Sequence, residues 1–541
     1  MVVVLLLLVA ISAFVFWVRY FYINITNEVP KAGGEYTEGI VGQPIYVNPL
    51  LSQTSEADSD LAQIVYSGLF KYDSKGEINP DLAESFELSE DKRIYTVHLR
   101  HGVLWHDGQP FTADDVYYTA TILQDPMYKS PLRQNWQGVT AQIIDDHTLS
   151  FELKNPFAGF MDSLTVGILP KHIWENISPE KFSLADYNLH PIGTGPYKFV
   201  DFQKDASGNI LSYVLGANRQ YYISTPYISR ITFNFYQDED ALLEAYNKKE
   251  IMGMSNIAPS KIGQLKNTKS TRINELTLPR YFGLFFNEIK SAALADEKVR
   301  LALSLATDRK EIIDTVLSGK GVPTYGPIFS NMKEYRDAGE LAELNLEKAN
   351  NILEEAGWKK GDDGVRKKGN TELAFEIVTT DWPELSKTAD ILKTQFEKVG
   401  VKVDVKVLTV SDLQQNYIRP REYDALLFGQ SISFNPDLYP YWHSSQKRDP
   451  GLNLSLFENK DADGLLESIR QESDVAKRID QTQQLQKILA DEKPATFLYS
   501  PMYLYPTNTT LHTGEIGNII VPAQRLSQIN SWYVKTKRIF K

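Results

Sequence analysis

The chain has 541 residues, 42% hydrophobic and 23% charged, an ordinary soluble-globular composition with enough material for at least two cores. Its 57 Lys and Arg against 69 Asp and Glu leave a formal net charge of -12, which disfavours nucleic acid as a partner. With no cysteine at all, disulfides, zinc–thiolate centres, thiol catalysis, iron–sulfur clusters and attachment through a lipidated cysteine are excluded.

Residues 2–18 carry no charge, a length near the lower limit for crossing a bilayer and longer than the apolar part of a usual signal peptide. Trp17, Tyr20 and Tyr22 stand at its outer end, where aromatic rings favour the membrane interface. Residues 1–23 are therefore expected to be an uncleaved transmembrane anchor, with a removed signal segment as the alternative. No Lys or Arg precedes the run and Arg19 follows it, so charge bias lends no support to an outward-facing C-terminus. Residues 24–35, with Pro30, Gly33 and Gly34 and little apolar content, read as a flexible linker, and the body starts near Tyr36.

Tyr95, Val97 and Leu99 alternate with Thr96 and His98, the period of a strand with one buried face. Asp107-Gly108 supplies a tight turn, and Thr112 with Asp115 three residues on predicts a capped helix reaching about Leu123. Residues 208–215 and 227–236 predict strands. Residues 296–317 and 345–356 predict helices, the second stopped by Gly357. A strand over 373–378, a helix over 383–399 stopped by Gly400 and a strand over 401–408 make a βαβ unit, which implies a parallel pair.

No GxSxG elbow, HExxH helix, Walker A loop or dinucleotide glycine fingerprint occurs, so no enzyme activity and no cofactor are expected. The pairs Asp114-Asp115 and Asp145-Asp146 are explained by a helix start and a turn. Residues 459–464 imitate the start of a calcium loop, but Arg470 stands where the bidentate carboxylate is needed, so a helix N-terminus is the better account. His98, His101 and His106 cluster in sequence, yet no metal site is expected there.

The string YTVHLRHGVLWHDGQPFTADDV, from Tyr95 to Val116, resembles the signature of the family 5 extracellular solute-binding proteins of ABC importers, the oligopeptide, dipeptide and nickel-chelate binders. Three later segments are similar to the family in order and spacing. They are Pro191 to Tyr197, which reads PIGTGPY; Tyr281 to Asp314, with Asn287, Asp296, Arg300 and Asp308-Arg309; and Tyr423-Asp424 through Asp437. The likeness spans about residues 36–535.

The resemblance implies an α/β, two-lobed, type II periplasmic-binding-protein-like fold with an inserted domain and a two-strand hinge, preceded by the N-terminal membrane helix. Carried onto this chain, the first lobe takes 36–65, 191–273 and 494–541, the inserted domain 66–190, and the second lobe 274–493. It further implies a monomer at the outer face of the membrane that captures a peptide or peptide-like solute and delivers it to an ABC permease. A nickel chelate or oligosaccharide cargo, or a peptide-signal receptor, stays open. His106 belongs to the structural signature in this family.

Ligand contacts are expected from the interlobe cleft: Gly193, Thr194 and Gly195; Tyr281, Phe285 and Asn287; Gln430, Ser431, Ser433, Asn435 and Asp437; and Tyr503 and Tyr505 near the second hinge strand. One departure stands out. Peptide-binding members carry an aspartate that pairs with the ligand's α-amino group, with a tryptophan just before it; here Ser433 and Gln430 stand near those positions. Asp437 could take over the task.

Overall fold

The computed structural model describes residues 2–337 and 343–541. Val2–Ile25 is a single helix whose described side chains are exposed almost throughout, and its stretch Val4–Ile25, of mean hydropathy 2.3, is long and apolar enough to cross a membrane. Such a helix is compatible with an anchor or with a signal segment.

The segment after it departs from the flexible-linker expectation. Thr26–Pro30 is a strand, paired antiparallel with Thr536–Phe540 at the other end of the chain. Arg538 fastens the junction, donating to the Ile23 carbonyl at 3.0 Å and the Thr26 hydroxyl at 2.8 Å. Composition reports local propensity, and this strand is formed by a partner that local sequence does not show.

A twelve-stranded sheet organises the body. Its path is Lys402–Leu408, Ala374–Thr380, Ala425–Ser431, Arg280–Phe286, Ala495–Asn508, Gly253–Met254, Glu35–Val41, Arg230–Tyr236, Ile210–Ala217 and Tyr197–Lys204, with Thr271–Thr277 and Gly321–Pro323 also paired to Ala495–Asn508. The long strand Ala495–Asn508 belongs to both halves. Toward its start it pairs with Arg280–Phe286 and Gly321–Pro323, and toward its end with Thr271–Thr277. Val322 faces Ser500 and Thr277 faces Met502, so Pro501 falls where the ladder changes partners. The other crossing is Leu278-Pro279. Both crossings thus carry a residue without a backbone N–H to donate.

Apolar packing divides along the same line. One core gathers Tyr36, Leu61, Trp105, Tyr213 and Trp532. Two others lie on opposite faces of the remaining half-sheet, Leu284 with Leu303, Ile377 and Leu392 on one side, and Tyr281 with Phe285, Leu426 and Trp442 on the other. The alternation of residues 281, 284, 285 and 286 between these cores is the two-residue period of a strand covered on both faces. The architecture is two α/β lobes joined by two crossings.

Within it, Ile94–Leu99 buries Tyr95, Val97 and Leu99 in a four-stranded sheet, Gly108 takes φ +91, and the helix Ala113–Gln124 follows. The Asp115 carboxylate accepts the Thr112 N–H at 3.0 Å, the expected reach-back of a capping box. The βαβ unit is present as Ala374–Thr380, Pro383–Glu397 and Lys402–Leu408, its strands parallel. The span 296–317 is two helices, Glu297–Ala306 and Arg309–Val316, because the Asp308 side chain accepts the Glu311 N–H and starts a second helix where apolar spacing alone looks continuous.

A buried charge cluster ties the first lobe together. Arg525 donates to both Asp60 oxygens, one at 2.7 Å, and to Glu38 at 3.0 Å; all three side chains are fully buried. Tyr36 and Tyr505 donate to the other Glu38 oxygen. Burial pushes both carboxyls up while Arg525 pulls them down. Replacing Arg525 by Met leaves two buried carboxylates without a counter-charge, and the expected loss is about 3–5 kcal/mol, read from the shift of the urea unfolding midpoint. A loss under about 1 kcal/mol would show that the cluster is dispensable.

Candidate functional site

Gly193 and Gly195 lie hard against the helix Glu56–Val65. A Cβ on Gly193 would stand 1.9 Å from the Val65 carbonyl oxygen, and one on Gly195 2.3 Å from that of Ile64, so only glycine allows the approach. His106 fills the concave side of this turn. Its backbone N–H donates to the Gly193 carbonyl at 2.9 Å, its Nδ1 accepts the Gly193 N–H at 3.2 Å, and its Nε2 faces the Gly195 carbonyl at 3.0 Å. An acceptor Nδ1 and a donor Nε2 describe one neutral tautomer. Burial accordingly pushes His106 down to about 4. Thr194 is buried with its hydroxyl unpartnered, and the next residue but one, Pro196, reaches a cavity. His98 sits by Glu87 and His101 stacks on His147, so the three histidines are dispersed. Among the described residues no group of three or more His, Asp or Glu is placed to hold a metal ion.

The second-lobe candidates form a graded set. Phe285 is core, packed on Trp442. Asn287 caps the end of its strand, accepting the N–H groups of Ile289 and Lys290 and donating to the Arg421 carbonyl at 3.0 Å. Tyr281 is buried and donates to Gln430 at 2.5 Å; Gln430 in turn donates to the Leu452 carbonyl at 2.9 Å. Ser431, at the strand's exposed end, opens the loop that crosses to the first lobe.

In that loop Ser433 donates to the Asn435 carbonyl at 2.6 Å, a local turn. Asn435 donates to the Ala158 carbonyl at 3.3 Å and to Asp162 at 3.4 Å, both on the other side of the cleft. Phe434 covers Gly76, Lys333 pairs with Glu77 at 3.0 Å, and the Ala158 N–H donates to the Arg470 carbonyl at 3.1 Å. Asp437 is already engaged: Arg470 pairs with it at 3.0 Å and lies over the Tyr439 ring. A carboxylate held this way would have to give up an arginine before it could receive a ligand ammonium.

Next to the crossing loop is a cavity of about 480 Å³ in the first lobe. Its wall comes from the start of the helix Glu56–Val65, from Tyr66 to Tyr72, from Asp162 to Gly167 and from Val521 to Gln524. Tyr503 donates to Glu56 of that wall at 2.5 Å, whereas Tyr505 is fully buried in the Arg525 cluster. The charged groups lining the cavity are Glu56, Lys71, Asp81 and Asp162, and Lys71 pairs with Asp81 at 3.1 Å. The balance is acidic and favours a cationic group on the occupant. Asp162, largely buried, is pushed up by burial and drawn back by hydrogen bonds from Tyr72 and Asn435. Tyr66 lines the same space with a buried hydroxyl that has no partner.

This wall is what sequence reasoning missed. Its residues carry no motif, and the one usable signal was the polar run Ser52 to Glu56 at a helix start.

The family model described as bacterial extracellular solute-binding proteins, family 5 Middle, matches residues 77–451. The oligopeptide-binding protein AppA of Bacillus subtilis (strain 168) is 29% identical over 516 residues, covering 93% of this chain and 92% of AppA. Its structure in complex with a nonapeptide aligns with a TM-score of 0.72 over 94% of this chain and 100% of that one. The ABC transporter substrate-binding protein CtaP of Listeria monocytogenes, 26% identical, aligns with a TM-score of 0.81 over 93% of this chain and 100% of that one.

The His106 lock has a pH signature. Its folded value lies near 4, below the ordinary 6.5, so the unfolded chain takes up the proton first. The stabilising contribution is full above pH 6.5, falls through the window down to about 4 and amounts to roughly 3 kcal/mol in all. His106→Gln should be less stable at pH 7.5 and should lose less further stability than the parent between pH 6.5 and 4.5, as measured by urea unfolding at each pH.

Proposed function

The chain belongs to the bacterial extracellular solute-binding proteins of family 5, and from that premise we propose that it captures peptides between its two lobes and hands them to the permease of an ABC importer. The observation that carries this reading is the loop after Ala425–Ser431, which reaches across the cleft to Ala158 and Asp162 beside the 480 Å³ cavity. That volume lies within the range of small-molecule and peptide-end pockets. The peptide complex of AppA supports the cargo class.

Asp162 is the proposed partner of the peptide's α-amino group. It supplies from the first lobe the carboxylate that Ser433 does not supply from the second, and Asn435 brings that loop to it. Gln430, Ser431 and Asn435 form the second-lobe rim of the site, and Tyr503 with Glu56 forms part of its floor. Exposed backbone groups on the loop can pair with an extended peptide's main chain, leaving side chains in hydrated space, so many sequences are accepted.

In this reading the lobes divide at Leu278-Pro279 and at Pro501, a few residues beyond the 274 and 494 expected from the sequence, with 66–190 inserted in the first. The helix Val2–Ile25 holds a monomeric body at the outer face of the membrane. Closure turns on Leu278-Pro279 and Pro501. A micromolar solute supplies roughly 8 kcal/mol, enough to bias a hinge equilibrium of a few kcal/mol toward the closed form that docks on the permease. No covalent step is involved.

The test is thermal melting of the chain in detergent against random peptide pools with free and with N-acetylated amino ends. Free-amine peptides should stabilise it, acetylated ones should bind about tenfold more weakly, and Asp162→Asn should abolish the difference. Stabilisation by nickel chelates or oligosaccharides alone would remove the peptide reading. Equal response to both pools would remove only the role of Asp162.

A further inference from the structure

Buried arginines in this chain have partners. Arg525 holds two carboxylates, Arg366 pairs with Glu354 at 2.8 Å, and Arg300 pairs with Glu288 at 3.2 Å besides donating to several carbonyls. Arg421 donates to the carbonyls of Lys447 and Gly451. Arg280 is the contrast. It is half-buried, its Nε is sealed from solvent and donates to nothing, and among the described residues its guanidinium makes no hydrogen bond and has no carboxylate within ion-pair distance.

Its position makes that omission informative. Arg280 opens its strand immediately after the Leu278-Pro279 crossing, and it stands opposite Ser431, the residue from which the cleft-spanning loop departs. The groups that act on it at longer range come from both lobes: Glu56 and Tyr503 on one side, Tyr499 and Glu384 on the other. The guanidinium therefore lies between the lobes, at the hinge end of the cleft. Glu56, which lines the cavity, is already engaged by the Tyr503 hydroxyl. Burial alone draws Arg280 down from its ordinary value, as expected of a cation that has lost water and gained no anion. A planar guanidinium left with its donors free matches a carboxylate, which it can take with two parallel bonds.

We propose that Arg280 is an anion subsite of the cleft, placed to receive a carboxylate of the bound solute at the hinge end, opposite in charge to the Asp162 end. This inference rests on the reading of the chain as a receptor for peptide-like solutes and adds that the solute carries a carboxylate. The carboxylate comes either from a peptide C-terminus or from an acidic side chain. A solute with an ammonium at Asp162 and a carboxylate at Arg280 would draw both lobes together through charge-assisted bonds, and solutes of the wrong polarity would meet like charge at each end.

The test uses the full chain in detergent, as parent, Arg280→Gln and Arg280→Lys. Without solute, Arg280→Gln should melt at the same temperature as the parent or higher, because an unpartnered buried cation has been removed; a clearly lower melting temperature would show a structural partner and overturn the proposal. Random peptide pools with free C-termini should then bind the parent at least tenfold more tightly than the same pools C-amidated. Arg280→Gln should erase that preference and Arg280→Lys keep part of it. An amidated pool carrying one glutamate assigns the carboxylate to a side chain if it matches the free-acid pool. Equal binding of the free-acid, plain amidated and glutamate-bearing pools by the parent overturns the subsite. If no pool binds at all, the peptide reading fails separately, and millimolar citrate decides the subsite: stabilisation of the parent but not of Arg280→Gln keeps it, and no difference removes it.

Discussion

The strand Ala495–Asn508 is the constraint on which the rest of the molecule depends. Fourteen residues long and buried at all but two positions, it contributes hydrogen bonds to both half-sheets, so neither lobe is complete without it. A strand shared in this way would ordinarily weld two bodies into one. Here the ladder changes partners at the point of transfer. Pro501 has no N–H to give, Pro279 marks the other crossing, and the pairing with Arg280–Phe286 slips in register between Phe282 and Gly283. Two cooperative ladders meeting at weak points are the arrangement in which rotation is least opposed, because bending disturbs few bonds.

The buried cluster of Arg525, Asp60 and Glu38 complements that strand. It draws together the C-terminal return, the helix Glu56–Val65, the strand Glu35–Val41 and, through Tyr505, the long strand itself. Hydrophobic contacts would hold these elements as firmly, since buried ion pairs seldom exceed the apolar packing they displace. What the cluster adds is geometry. A guanidinium fork accepts few arrangements of two carboxylates, so the helix whose start forms the cavity wall is fixed in orientation as well as in contact. The site inherits its rigidity from charge buried behind it.

The sequence made local structure legible and long-range structure much less so. The alternation of Tyr95, Val97 and Leu99, the glycines at 108, 357 and 400 and the cap at Thr112 each mark an element whose cause lies within a few residues. The strand Thr26–Pro30 was invisible because its partner is the far terminus, and Asp437 looked free because Arg470, which takes it, lies on a helix many residues later. Tyr503 and Tyr505 show the limit most plainly. Two positions apart on one strand they are indistinguishable in sequence, yet one reaches the cavity wall through Glu56 and the other is sealed beside Glu38. The cavity wall escaped for a related reason, being assembled from separated segments with no motif of their own.

The residues that betray the family are in the main those that build it. His106 locks the turn of Gly193 and Gly195, Asp115 caps a helix, Asn287 ends a strand, and Arg300 and Arg309 bind carbonyls in the core. Each has its polar groups satisfied by its own chain, which leaves it little to offer a solute. Recognition of the scaffold therefore says little about the cargo. In the proposed reading, discrimination among solutes falls to the hydroxyl of Tyr66 and the guanidinium of Arg280, which no group among the described residues satisfies, and to the carboxylate of Asp162, which burial makes costly to charge. A polar group that its own chain does not complete gains most from a partner supplied by a solute, so such groups weigh more in selecting cargo than the satisfied residues that mark the family.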